Sequence, residues 1–180
     1  VIKLYASGWF PLLAELCELF QKEFNSKQVV LRLAQNIIKS LKPHSVYQDG
    51  LVLYGTEKSS WVEFKENGLK FFANVVEGQK TGFFLDQRNN RLKIRGMAKG
   101  RSVLNVFSYS GGFSVYAMAG GCKSFVEVDS NPFALETSLR NLKINFPDKS
   151  FPAPNFKQQK GDAFQILAKM KIEKRHFDLV

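Results

Sequence analysis

TGFFLDQRNNR (81–91), VLNVFSYSGGFSVYAMAGG (103–121) and SFVEVD (124–129) are the stretches that decide the fold of this chain. Residues 103–107 are an apolar run of β-formers, broken by the glycines of Ser108-Tyr109-Ser110-Gly111-Gly112. Residues 111–119 then read as a short helix stopped by Gly120-Gly121, and 124–128 as a second strand that ends on Asp129. Ahead of them, Gly82-Phe83-Phe84-Leu85 reads as an apolar strand and residues 86–101 as a basic connector.

Toward the C-terminus the alternation continues. DSNPFALETSLRNLKINF predicts a helix capped by Ser130 or Asn131, with Pro132 in its first turn. Phe133, Leu135, Leu139, Leu142 and Ile144 are its core candidates. Residues 147–154 read as a loop, 156–164 as a third strand with its exit, 164–172 as a third helix, and Phe177 as the opening of a fourth strand. Strand, helix, strand, helix in this order predicts a parallel sheet with right-handed crossovers. The fold class is α/β: a Rossmann-like domain over 79–180, incomplete at its C-terminus, preceded by a small α+β module over 1–78.

That module begins with a strand at Val1–Tyr5 and a helix opened by Pro11, with Leu12, Leu13, Leu16, Leu19 and Phe20 on one face. A strand at Val29–Leu33 follows, then a segment up to His44 that reads as helix or loop. Further β-runs lie at Tyr47–Tyr54 and Ser60–Phe64, and Glu66-Asn67-Gly68 turns the chain into a returning strand, LKFFANVV. It contains no catalytic constellation.

The formal charge of +10 suggests a polyanionic partner, although many basic proteins carry such a charge merely to stay soluble. It is uneven: residues 1–80 carry 10 basic against 8 acidic residues, and residues 81–180 carry 16 against 8. Between 86 and 101 alone, Arg88, Arg91, Lys93, Arg95, Lys99 and Arg101 face only Asp86. This run is either a solvated surface or a phosphate-contacting ridge. Cys17 and Cys122 lack CxxC spacing and have two histidines for company, which argues against metal and for a reducing compartment. With no run of about 18 apolar residues, no membrane span is expected. A cytoplasmic protein is expected, and the apolar Phe177-Asp178-Leu179-Val180 reads as a strand cut in the middle of a longer chain.

In parallel sheets, ligands bind beyond the carboxyl ends of the strands. Here those ends carry Ser108–Gly112, Asp129 and Asp162-Ala163. Glycines let backbone approach a ligand, and the amides opening a helix hold a carboxylate or phosphate. Asp129 is placed to accept both ribose hydroxyls and Asp162 to accept from an adenine amino group, although either acid could simply cap the following helix. SYSGGFS lacks G-x-G-x-x-G, and no G-x-x-x-x-G-K-[ST] loop occurs, so dinucleotides and nucleoside triphosphates fit poorly. An adenosine ligand with an amino-acid end and no phosphates fits better: S-adenosylmethionine.

KTGFFLDQRNNR (80–91), VLNVFSYSGGFSVYAMAGG (103–121), VEVDSNPFALE (126–136), GDAF (161–164) and FDLV (177–180) together resemble the class I methyltransferases of large-subunit ribosomal RNA. The PUA-domain-bearing cytosine-C5 family is the most similar, over most of residues 60–180 and more weakly over 1–75. The resemblance implies a class I methyltransferase fold, S-adenosylmethionine as cofactor and ribosomal RNA as partner, with neither metal nor membrane. It implies that Asn105, Phe107, Ser108, Tyr109 and Gly111 line the methionine end, and that Asp129 with Ser130 holds the ribose. Asp162 and Ala163 would hold the adenine, with Gln87 and Arg88 also facing the cofactor, Arg88 paired with its carboxylate. Arg91, Lys93, Arg95, Lys99 and Arg101 would meet RNA. The family's Asp-Pro-Pro loop and attacking cysteine are expected beyond Val180. A guanine-N2 or small-molecule methyltransferase and a non-catalytic RNA-binding protein are the alternatives.

Overall fold

Two compact units form in the computed structural model, which describes residues 1–55, 60–78, 81–151 and 153–180. One comprises residues 1–62 and 74–82, the other 63–73 and 83–180. The chain therefore does not divide by one cut between 78 and 79: residues 63–73 join the second unit. Residue 79, Lys80 of the KTGFFLDQRNNR motif and Pro152 of the 147–154 loop lie outside the described residues.

In the first unit, β1 (Ile2–Leu4) runs parallel to β2 (Val29–Leu33), which pairs antiparallel with β3 (Val52–Tyr54). A 3-10 turn, Ser7–Leu12, precedes α1 (Leu13–Phe24), and the segment left open in the sequence contains α2 (Gln35–Ser40). Because the 3-10 turn carries Pro11, the buried stripe of α1 is Leu13 and Cys17 flanked by Leu16 and Phe20. Leu12 and Leu19, expected on that face, are exposed. His44 is an exposed turn residue with φ 69°.

The second unit takes up most of a hairpin, β4 (Trp61–Glu66) and β5 (Leu69–Asn74). Its two-residue turn has positive φ at both Asn67 (49°) and Gly68 (82°), which matches the twist of the flanking strands. The chain continues through a 3-10 turn at Leu85–Gln87 into α3 (Arg88–Met97). Here the sequence reading fails, since 82–85 is not a strand and the basic connector is a helix. Within α3 the inward residues are Arg91 and Ile94, with Ala98 just past its end, so the buried position of the helix is charged and no apolar stripe marks it.

Beyond α3 the expected alternation is present: β6 (Ser102–Val106), α4 (Gly112–Ala119), β7 (Ser124–Asp129), α5 (Pro132–Asn145), β8 (Phe156–Lys160) and α6 (Ala163–Ile172). The strands form a parallel sheet in the order β6-β7-β8. A parallel bridge from Val103 to Leu179 sets the 177–180 segment on the free side of β6. The fold is α/β and Rossmann-like. Val103 and Phe125 face a core with Phe71, Phe83, Val115 and Tyr116, while Leu104, Val126 and Val128 face Ala163 and Met170. Cover on both faces explains the unbroken apolar runs. Asn141 and Asn145, one turn apart on α5, complete the edge of β5: their side-chain oxygens accept from the Phe72 and Lys70 N–H groups at 2.7 and 2.9 Å.

Candidate functional site

Ser108–Gly111 leave the carboxyl end of β6 in an uncommon backbone conformation. Phe107 and Tyr109 have φ of 58° and 48°, a region that disfavours non-glycine residues, so the surroundings must impose it. Four hydrogen bonds do so. Ser108 N–H donates to Val128 O (3.0 Å), Tyr109 N–H to Asp129 Oδ2 (2.8 Å), Gly111 N–H to Ser108 O (2.9 Å), and Asn141 Nδ2 to Ser110 O (3.0 Å). Asp129 thus clasps the loop after β6 from the end of β7. Its other oxygen accepts from Asn131 N–H at 2.9 Å, which fixes the carboxylate in place. Asn131, not Ser130, caps α5, through its Oδ1 and Phe133 N–H; Ser130 is exposed.

The loop borders a cavity of about 270 Å³ with Phe83, Phe84, Gln87 and Arg91 across from it. Ser108 Oγ is buried there and, among the described residues, is the buried side-chain polar atom without a hydrogen-bond partner. Such an atom is costly unless a ligand or water completes it. Asn105 donates to Ser114 Oγ at 2.9 Å and lines an adjacent cavity of about 260 Å³ with Phe107, Phe113 and Leu179. Asp162 caps α6, accepting from Gln165 N–H at 3.0 Å, and Ala163 is buried behind it. Phe164, absent from the expected site, is 73% exposed and meets the 67% exposed Phe107 edge-on at 6.3 Å. Two unshielded aromatics at neighbouring loop ends suit a flat ligand. The clue available in the sequence was an aromatic residue directly after the helix-capping GDA.

The two arginines of the QRNNR motif exchange roles. Arg88 is exposed, donates to Asn67 Oδ1 at 3.0 Å and does not line the cavity. Arg91 does line it and is 2% exposed, which removes it from any RNA-facing ridge. Its Nε and Nη2 grip both oxygens of Glu66 at 2.8 Å, its Nη1 donates to Phe84 O at 2.9 Å, and its guanidinium lies 4.5 Å from the Phe83 ring centre. Tyr116 Oη donates to Glu66 Oε1 at 3.0 Å. Burial, then the Glu66 carboxylate, pushes the Tyr116 phenol up to about 12. Arg95 is half-buried and reaches Asn67 O, Lys93 is exposed on α3, and Lys99 and Arg101 follow its C-terminal end. The run is therefore not one ridge beside the cavity. Lys99 and Arg101 lie at the opposite, amino end of β6.

Neither cysteine lines the cavity. Cys17 belongs to the first unit, and burial pushes the thiol of Cys122, beyond the far end of α4, up to about 11.

Residues 39–153 match the family profile of S-adenosylmethionine-dependent methyltransferases. Over all 180 residues the chain is 43% identical to a Deinococcus radiodurans protein named ribosomal RNA large subunit methyltransferase, and it spans 43% of that protein's length. Over 129 residues, 72% of the chain, it is 39% identical to ribosomal RNA large subunit methyltransferase I of Aliivibrio fischeri, of which it spans 32%. Among solved structures, SMU.776 in complex with SAH superposes with a TM-score of 0.79 at 24% identity, over 98% of this chain and 43% of the other. Among the described residues no helix is long and apolar enough to cross a membrane.

Proposed function

As the chain belongs to the S-adenosylmethionine-dependent methyltransferase family, we propose that the loop after β6, Asp129 and the end of β8 hold that cofactor for methylation of large-subunit ribosomal RNA. The observation that carries the cofactor reading is the unpartnered Ser108 hydroxyl beside a carboxylate already fixed by two backbone N–H groups. When bound, the cofactor supplies an electrophilic methyl group on a sulfonium centre. Asp129 keeps lone pairs for the two ribose hydroxyls, and its anchoring means little side-chain freedom is lost on binding. Ser108 donates to the amino-acid end, Gln87 and Arg91 close that end, and Phe107 and Phe164 flank the adenine. Asp162 caps α6 with one oxygen and has the other for the adenine amino group.

The RNA substrate rests on the names of the relatives and on the basic second half of the chain. A cytosine-C5 target, a PUA domain elsewhere in the protein and a cytoplasmic site of action rest on the resemblance of FFLDQR-x-x-R and N-x-F-S-Y-x-G-G-F to that family. Since neither Cys17 nor Cys122 lines the cavity, neither is assigned as the attacking thiol, which the resemblance expects beyond Val180. Incubating the full-length protein with unmethylated large-subunit ribosomal RNA and isotopically labelled cofactor, then analysing nucleosides by mass spectrometry, should yield 5-methylcytidine. Labelled N2-methylguanosine would instead favour an amine target.

Two substitutions test the cofactor site by calorimetric titration. Asp129→Ala removes charge-assisted hydrogen bonds of about 1.5–3 kcal/mol and should weaken S-adenosylmethionine binding at least about tenfold. Equal affinity in wild type and variant would rule out the ribose assignment. Ser108→Ala should leave Tm unchanged or slightly raised, because it deletes an unpaired buried hydroxyl, yet weaken binding about fivefold. A lower Tm with unaltered binding would make Ser108 a structural residue only.

A further inference from the structure

The amino ends of the parallel strands, opposite the cofactor loop, carry cations that the cofactor reading does not use. Arg101 directly precedes β6, Lys123 directly precedes β7, Lys157 lies in β8, and Arg175 and His176 approach the Leu179 bridge. Lys123 N–H donates to Arg101 O at 2.8 Å, so these two strand entrances are neighbours, and adjacent strands lie about 4.8 Å apart. Ser102, Ser124, Asn155, Lys157, Arg175 and His176 border an open cleft of about 310 Å³. Arg101, Lys123, Lys157 and His176 are exposed. Among the described residues, no carboxylate lies within ion-pair distance of any of these cations.

The acid beside Ser102 at this end, Asp178, is already engaged. Its Oδ2 accepts from Ser102 N–H and from Ser102 Oγ, both at 2.7 Å. Those bonds, with Arg101 and Lys123 nearby, hold its carboxyl below the usual range. That fixed negative charge lies near Arg101 and Lys123. A simpler role exists for part of the set. Helices α3, α4, α5 and α6 all end at this side of the sheet, and cations beside helix C-termini offset the partial negative charge there. That role accounts for Lys99, Lys123 and Arg175, but not for Lys157 within a strand, nor for a cleft of mixed polar and apolar lining that carries Lys157, Arg175 and His176 on its border.

We propose that this basic end is a second RNA contact, which binds backbone phosphates of the substrate away from the base that is methylated. It rests on the reading of the substrate as large-subunit ribosomal RNA. β6 has five residues at about 3.3 Å each, so the cofactor loop and the cleft are separated by roughly 16 Å. A folded RNA fragment is large enough to meet both. The cleft adds affinity and orientation without reading sequence.

The test neutralises Lys123, Lys157 and Arg175 together, each to Gln, in the full chain. Binding of deproteinised large-subunit ribosomal RNA is measured by filter retention between about 50 and 200 mM salt. Each lost phosphate contact flattens the slope of log affinity against log salt by about 0.7–0.9, so the triple variant should lose about two units of slope. Its affinity should fall at least about tenfold while its calorimetric affinity for S-adenosylmethionine stays unchanged. An unaltered slope with a lowered Tm overturns the proposal and leaves the cations as partners of helix ends. Equal competition by polyglutamate and by ribosomal RNA also overturns it, in favour of an acidic protein partner. If the wild-type chain itself shows no salt-dependent RNA binding, the substrate reading fails, and this proposal with it.

Discussion

Replacing Arg91 by methionine should destabilise the second unit by about 3–5 kcal/mol, a large effect for one side chain beside a cavity. The reason is the partner left behind. Glu66 is 5% exposed, both its oxygens are held by Arg91, and Tyr116 also donates to Oε1. Without the guanidinium a buried carboxylate loses its counter-charge, and Phe84 O keeps only the Gln87 N–H as donor at the cavity rim. For a chain of this size each kcal/mol lowers Tm by about 2–4 °C, so the melt should shift by about 6–20 °C. Arg91→Lys should recover little, because one ammonium cannot grip two carboxylate oxygens and the Phe84 carbonyl in the same planar fork. Arg91→Met combined with Glu66→Leu should recover most of the loss, since apolar replacement of a whole buried pair is often neutral. The Tyr116 hydroxyl would still reach Glu66 O at 3.2 Å. A double variant no more stable than Arg91→Met would mean that packing on Phe83, rather than charge, dominates at this position.

This network also marks where the sequence stops being legible. The alternating strands, the loop after β6 and the acid ending β7 could all be read, because apolar runs, paired glycines and a terminal Asp are local signals. Helix α3 could not. Its innermost residue is Arg91, whose partner Glu66 is 25 residues away on a hairpin, and nothing local announces that pairing. The same long-range bond separates Arg91 from Arg88: three positions apart in a helix, one is drawn inward by Glu66 while the other turns to Asn67. The left-handed turns at Phe107 and Tyr109 were hidden for a related reason. They occur at bulky residues and are imposed by hydrogen bonds from β7, not by glycine.

Gly111 should tolerate no side chain at all, whereas its neighbour Gly112 should tolerate alanine better. Gly111 has φ 72°, and a Cβ there would lie 2.6 Å from Ser138 Cβ and 2.8 Å from Glu127 Oε1, closer still to Ser138 Oγ. The backbone conformation costs an alanine about 1–2 kcal/mol and the overlap about 1–3 more. Relief by moving Ser138 breaks its 2.6 Å hydrogen bond to Glu127, which is fully buried. Burial pushes that carboxyl up, while Ser114, Ser138 and Gln158 pull it back by hydrogen bonding, so a lost donor exposes the cost of burying the acid. At Gly112 an added Cβ would meet Arg91 Cδ at 3.1 Å and Phe83 Cζ at 3.3 Å, side-chain atoms that can yield by a few tenths of an ångström. Gly111→Ala should therefore lower Tm by about 4–20 °C and abolish measurable S-adenosylmethionine binding, with a smaller loss for Gly112→Ala. Adding Ser138→Gly to Gly111→Ala should recover only part of the loss, since it removes the contacts with Ser138 but leaves the overlap with Glu127 Oε1 and the positive φ, and itself deletes the Ser138 donor to Glu127. Full recovery would assign the whole defect to packing, and equal losses at the two glycines would mean that the loop, rather than the buried Glu127 beneath it, sets the requirement.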